Sequence, residues 1–294
     1  MIVITAPTGN IGRQLLNDVL DSGKPVRVIA RDPSRLPATT RQRIEVVRGS
    51  HGDVNVLKRA FDGAEAVFWL VPPDPHATSV DAAYVDFSRP ACEAIKSQRV
   101  RRVVAVSALG RGTPVAGKAG LVTASLKMCD LIASTGASLR ALTMPSFMDN
   151  IIRQKEPIKR QGVFFGPISG DRKLPTCATR DIAAVAARLL LDSSWNGHQD
   201  APVLGPEDLS CNDMANVMSD VLGKQVRYQQ IAFEAYKAGF IERGMSEAMA
   251  QGMTDMAAAK NAGLDNGEPR TPQSITPTSL RQWSEEVLKP AVLG

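Results

Sequence analysis

One stretch constrains this chain more than any other: Met1-Ile-Val-Ile-Thr-Ala-Pro-Thr-Gly9-Asn-Ile-Gly12, with Arg13 to Leu20 directly behind it. Ile2 to Ile4 make a short apolar run of the kind that forms a buried strand. Pro7 and Gly9 mark a turn, and Ile11, Leu15, Leu16, Val19 and Leu20 then recur at helical spacing. A strand that turns through glycine straight into a helix leaves the first amides of that helix without intrahelical partners. The glycines let an anion such as a pyrophosphate approach the backbone closely. Thr8, Gly9, Asn10, Ile11 and Gly12 are therefore the expected phosphate site, with the Thr8 hydroxyl as an extra donor. Ala6 stands where a complete glycine pattern has its first glycine. Pro7 biases the residue before it toward extended conformations, so a positive backbone angle is not expected at Ala6.

The following segments alternate in the way this start requires. Strands are expected at Lys24–Pro33, Ile44–Arg48, Ala64–Val71, Arg102–Ser107 and Ser138–Thr143, with helices between them, among these Ser79–Ser97 and Leu121–Ser134. Such alternation predicts an α/β fold, a Rossmann-type doubly wound parallel sheet with right-handed crossovers. A chain of 294 residues has room beyond that sheet. Residues 1–150 are expected to form a dinucleotide-binding domain, and 151–294 a smaller mixed α/β lobe, with part of 176–205 returning to the first domain. In the second half, Gln161–Pro167, Pro202–Gly205 and Val226–Ile231 read as strands. Thr179-Arg-Asp181 opens a helix, Ser210 to Asp213 form a capping box, Ser279 to Gln282 cap a last short helix, and Asn261 to Thr278 are loop.

The end of the second strand is where dinucleotide folds choose their cofactor, because it faces the 2′ position of the adenine ribose. Arg31 at that end favours NADP(H) through its 2′-phosphate, with Arg35 as a second cation; Asp32 beside it keeps NAD(H) open. Asp53 precedes Val54, Leu57 and Phe61 at helical spacing, which makes it a helix cap in a loop that also lies near the adenine. Met245, Met249, Met253 and Met256 fall on one face of a late helix, either as core or as an adaptable apolar wall.

Composition excludes several classes. The net charge is +5, but the basic residues are scattered and only Arg99-Val-Arg101-Arg102 is a tight cluster, so no nucleic-acid partner is expected. Cys92, Cys129, Cys177 and Cys211 are far apart and the three histidines are isolated, so no metal-ligand spacing exists. No apolar run reaches the length of a membrane span, and a strand starting at Met1 leaves no room for a secretion signal; a cytoplasmic protein is expected.

Taken together, Thr5-x-x-Thr8-Gly9-x-x-Gly12, Ala30-Arg31-Asp32-Pro33, Gly52-Asp53, Val104-x-Val106-Ser107, Phe147-Met148-Asp149-Asn150, Gly162-Val-Phe-Phe165, Thr179-Arg-Asp181 and Leu204-Gly-Pro-Glu-Asp-Leu-Ser210 resemble the NmrA-like group of atypical short-chain dehydrogenases. The resemblance runs from Met1 to about Lys260. It implies an NAD(P)H-binding protein, in a group that includes quinone reductases, dye reductases and a redox-sensing regulator. It further implies that Asp53 lies by the adenine, that Leu70, Val71 and Ser107 border the ribose and nicotinamide, and that Pro145, Phe147, Met148 and Asn150 line a substrate cleft. The chain departs from the wider pattern where chemistry is concerned. None of Tyr84, Tyr228 and Tyr236 has a lysine four residues on. Ser125 and Cys129 stand where quinone reductases of the group carry His and Glu, and Thr143 replaces a common arginine. Ser107 and Ser125 are the remaining candidates for a catalytic role, against a purely structural one. The expected function is an NAD(P)H-dependent oxidoreductase that passes hydride from NADPH to a small, apolar, conjugated acceptor such as a quinone. The alternative is a non-catalytic redox sensor acting through a protein partner, and a cofactor-retaining isomerase or dehydratase ranks third. No membrane partner is expected, and a homodimer is left open.

Overall fold

In the computed structural model, which describes residues 1–294, the first strand lies inside the main sheet, beside its middle strand. The strands are β1 (Ile2–Ile4), β2 (Val26–Ala30), β3 (Glu45–Arg48), β4 (Ala66–Trp69), β5 (Arg102–Ala108), β6 (Ser138–Met144), β7 (Ser146–Phe147), β8 (Val163–Gly166), β9 (Leu174–Cys177), β10 (His198–Pro202), β11 (Asp208–Leu209) and β12 (Arg227–Gln230). The helices are α1 (Asn10–Asp21), α2 (Ala38–Arg41), α3 (Val54–Phe61), α4 (Phe87–Ser97), α5 (Leu121–Ala133), α6 (Lys155–Gln161), α7 (Thr179–Leu191), α8 (Cys211–Leu222), α9 (Phe233–Glu242), α10 (Glu247–Asn261), α11 (Leu280–Trp283) and α12 (Lys289–Leu293).

Seven strands form one sheet in the order β10-β6-β5-β4-β1-β2-β3, every pair parallel. Its central strands are buried along their whole length, as all-parallel strands covered on both faces must be. α1 and α7 cover one face through Ile11, Leu15, Leu16, Ile182 and Ala186. α3, α4 and α5 cover the other through Leu57, Phe61, Ile95 and Met128. This is a doubly wound α/β fold. The strand order reverses between β1 and β4, and at such a switch point a crevice opens above the carboxyl ends of the strands.

Two small sheets, β11-β9-β7 and β12-β8, lie in the second half beside α6, α8, α11 and α12. They share a core of Met148, Ile158, Phe164, Met218, Leu280 and Trp283. The α9–α10 pair reaches back to the first half, where Ser246 donates from its amide to Pro75 O (2.9 Å) and from its hydroxyl to Ala77 O (2.7 Å). α10 then lies against the start of α5. Gly120 has φ +53° there, and a Cβ on it would stand 2.9 Å from Gly252 Cα, so two glycines set how near the helices come.

Three local expectations need correction or refinement. The strand expected at Pro202–Gly205 lies earlier, at His198–Pro202, paired with Leu139–Thr143 at the sheet's edge. Its residues are polar because an edge strand is half solvated, which removed the apolar signal; Leu204 instead makes an isolated bridge with Ile275. The loop at Asn261–Thr278 contains a helical turn at Leu264–Gly267. Of the two accounts of the methionines, packing is the one observed. Met249 is buried with Ala83 and Leu121, and Met245, Met253 and Met256 pack around them.

Candidate functional site

Thr5, wholly buried at the end of β1, ties the crevice together: its hydroxyl donates to Phe68 O (3.0 Å) and accepts from Leu70 N (2.9 Å). Ala6 follows with φ +49°, against the expectation from Pro7. The chain has to reverse from β1 into α1 within a few residues. A left-handed Ala6 turns its carbonyl to accept from Gly9 N (3.1 Å) across Pro7 and Thr8, and that carbonyl lies where a Cβ of Gly12 would be. Such a conformation costs a non-glycine residue about 1–2 kcal/mol, and alanine carries the smallest side chain that meets it. Gly12 is thus glycine for want of space. No side chain caps α1, and Arg13 is the first residue whose amide finds an intrahelical acceptor (Gly9 O, 2.9 Å). The amides of Asn10, Ile11 and Gly12 are left free, whereas α3, α8 and α10 are capped by Asp53, Ser210 and Ser246.

Arg31 is exposed at the end of β2 and forms no ion pair. Asp32 beside it commits one carboxylate oxygen to the neighbouring turn. Its Oδ1 accepts from Ser34 N (3.0 Å) and Ser34 Oγ (2.6 Å), closing a short turn. Asp53 caps α3, its Oδ1 accepting from Asn55 N (2.7 Å) and Val56 N (3.3 Å). Beside it stands a residue that sequence reasoning passed over. His51 is set edge-on between Trp69 (centroids 5.4 Å) and Phe87 (5.0 Å), and its buried Nε2 has no partner. Burial pushes its pKa down to about 4, and the nearby Arg31 charge pushes the same way, so the ring is neutral. Gly52 packs flat on Phe87, where a Cβ would lie 2.8 Å from the ring. The one signal for this cluster was the Gly52-Asp53 pair.

Toward β5 the crevice becomes less charged. Leu70 is half-buried and Val71 buried. Ser107 and Ser125 are brought together, hydroxyl to hydroxyl at 3.4 Å, and Ser107 lies in register with Thr143. Burial pushes the Cys129 thiol up to about 12, so it is not a thiolate nucleophile. Hydroxyls and a neutral thiol can orient a ligand, but no charged acid or base is joined to them. Pro145 is buried, Phe147 half-buried and Asn150 exposed. Met148 does not belong with them. It is 1% exposed inside the core with Phe164 and Met218, because the turn after β7 points it into the second lobe.

The arrangement fits a dinucleotide on its own geometry: free helix amides beside a glycine that cannot carry a Cβ, and an unpaired arginine at the end of β2. Residues 7–193 match an NAD(P)H-binding family, and residues 130–285 match the NmrA-like family. The chain belongs to the NmrA-like family. NAD(P)H is therefore the cofactor of this NmrA-like protein. It is 29% identical over 290 residues, 97% of each chain, to a (4-alkanoyl-5-oxo-2,5-dihydrofuran-3-yl)methyl phosphate reductase of Streptomyces griseus. It is 25% identical to an NAD(P)H azoreductase of Xenophilus azovorans, over 97% of this chain and 96% of that one. The fold is that of the NADPH complex of an Escherichia coli quinone oxidoreductase (TM-score 0.79, 22% identity, 96% and 98% of the chains covered). It is also that of a Citrobacter triphenylmethane reductase (0.80, 17%, 99% and 100%). No helix of this NmrA-like protein is long and apolar enough to cross a membrane.

Proposed function

We propose that this NAD(P)H-dependent oxidoreductase of the NmrA-like type passes hydride from NADPH to an apolar, conjugated acceptor such as a quinone. The observation that carries the cofactor half is the unpaired Arg31, with one oxygen of Asp32 held by Ser34. In this reading Thr8 to Gly12 hold the pyrophosphate, Arg31 the 2′-phosphate, Asp53 and the His51 cluster the adenine end, and Leu70, Val71 and Ser107 the ribose and nicotinamide end. Residues 1–150 bind the cofactor together with α7 and β10, and the lobe within 151–294 closes the cleft.

The bound nicotinamide supplies the hydride; the protein supplies position and a dry wall. Hydride transfer to a quinone needs no nucleophile and no metal. It needs the two rings held face to face, and a proton for the oxygen that becomes a hydroxyl. That proton comes from solvent, or from the Ser107 or Ser125 hydroxyl. The lack of a charged acid or base beside Ser107 suits an acceptor that is already electron-poor better than a simple ketone, whose oxygen must be protonated as hydride arrives. The azoreductase, quinone oxidoreductase and triphenylmethane reductase relatives act on conjugated acceptors by name, in keeping with this. The same lack favours one other reading, a dinucleotide sensor without turnover. Loss of NADPH absorbance in the presence of enzyme and a series of quinones is the test. Turnover supports the reductase, and tight NADPH binding with no oxidation across the series supports the sensor.

A further inference from the structure

Next to the phosphate loop lies a cavity of about 470 Å³ whose lining has only Asn10 in common with the residues of the dinucleotide reading. Four parts of the chain form it: α1, the turn after β7, the start of α7 and the C-terminal segment. Its charged residues are Arg13, Arg153, Arg180 and Asp149. Both oxygens of Asp149 are already engaged, one with Thr179 N (3.0 Å) and one with Thr179 Oγ1 (2.8 Å). Arg180 donates from Nε to Thr278 Oγ1 (2.9 Å) and pairs with Glu286 through Nη1, while its Nη2 is buried without a partner. Arg13 and Arg153 pair with no carboxylate. Trp283 lines the same cavity, is 1% exposed, and its Nε1 has no acceptor.

An indole N–H can only donate, as can a guanidinium, and leaving either buried and unpaired is costly. Three guanidinium groups carried on separate elements, against one carboxylate whose two oxygens are both engaged, leave an excess of positive charge that asks for an anion. A carboxylate presents two oxygens in one plane, whereas a phosphoryl group presents three around a tetrahedron, which suits arginines on separate elements. We infer that this cavity is a phosphoryl-binding site, distinct from the pyrophosphate loop, held by Arg13, Arg153 and Arg180. The phosphoryl group is either free phosphate or a phosphomonoester on the acceptor. The site itself does not depend on the hydride-transfer reading; only the phosphorylated acceptor does.

The test is calorimetric titration of inorganic phosphate into the full chain saturated with NADPH, at constant ionic strength. Phosphate is expected to bind, and Arg153→Ala to weaken it about tenfold, the size of one charge-assisted contact. NADPH affinity should move by less than about twofold, because Arg153 is not among the residues of the dinucleotide site. Arg13→Ala gives the same pattern if Arg153→Ala fails to fold. Loss of phosphate binding on NADPH saturation, or parallel losses of phosphate and NADPH in either variant, would overturn the proposal by giving these arginines to the dinucleotide. Phosphate held by Arg153 in a protein that does not bind NADPH would refute the cofactor reading and leave this one standing. For the source of the phosphoryl group, a quinone bearing a phosphomonoester is compared with its unphosphorylated parent. A lower KM that Arg153→Ala abolishes assigns it to the acceptor, and equal KM values assign it to free phosphate.

Discussion

Replacing Arg31 with alanine separates the two halves of the cofactor. The side chain is exposed and has no internal ion pair, so its loss should not disturb the fold. In the proposed assignment, what it loses is the 2′-phosphate, a group carrying nearly two negative charges at neutral pH. One guanidinium about 4 Å from such a dianion in a water-like medium gains about 2 kcal/mol. A charge-assisted hydrogen bond contributes about 1.5–3 kcal/mol, and exposure places Arg31 at the low end. Both figures give a loss of roughly tenfold to thirtyfold in NADPH affinity. NADH has no phosphate there, so its affinity should stay within about twofold. The wild-type preference for NADPH should also shrink as salt is raised, because an exposed pair is screened. Titration with both cofactors, wild type and variant, reads all of this directly. The His51 ring gives a second readout: without the Arg31 charge beside it, its pKa should rise from its depressed value. Equal losses for NADPH and NADH would refute the assignment.

Gly12→Val should abolish binding of both cofactors while circular dichroism stays native in shape, because the new side chain collides with the Ala6 carbonyl and displaces the loop; undiminished binding removes the loop from the site. Ser107→Ala and Ser125→Ala should keep near-normal turnover, since no charged group activates either hydroxyl; a fall in kcat of a hundredfold or more, the scale of lost acid–base catalysis, would make that serine catalytic. His51 should make the protein acid-sensitive. Its folded pKa of about 4 lies below the usual 6.5, so the unfolded chain binds the extra proton between those values. Stability from this group is complete above about pH 6.5 and falls by up to roughly 3 kcal/mol as pH drops toward 4. Urea unfolding at pH 7 and pH 4.5 should show that loss, and His51→Gln should reduce it; an unchanged pH dependence in the variant contradicts the assignment.

The parallel sheet was legible because strands buried on both faces are written as continuous apolar runs, and β1, β4 and β5 are such runs. The turn from β1 into α1, with its free helix amides, was legible because strand, glycine turn and helix are consecutive in sequence. Other features depend on contacts that no local pattern contains. β10 is an edge strand and reads as polar. The left-handed Ala6 is set by Gly12, six residues on, overriding the bias from Pro7. His51 was one isolated histidine until Trp69 and Phe87 closed around it from β4 and the start of α4. Met148 shares a short motif with Phe147 and Asn150, yet the turn after β7 sends it into the core. The arginines of the second cavity are spread from Arg13 to Arg180, and only the packing of α1 beside α7 and the C-terminal segment brings them together.

Hydride transfer itself is tested by a single-turnover experiment. Protein loaded with NADPH deuterated at the transferable C4 position is mixed with excess quinone, and loss of NADPH absorbance is followed against the undeuterated cofactor. Enzyme-dependent oxidation in one exponential, slowed by the deuterium, is the result expected of a reductase. Bound NADPH that stays reduced, with the quinone unchanged, would contradict it and leave a dinucleotide-binding protein without this chemistry.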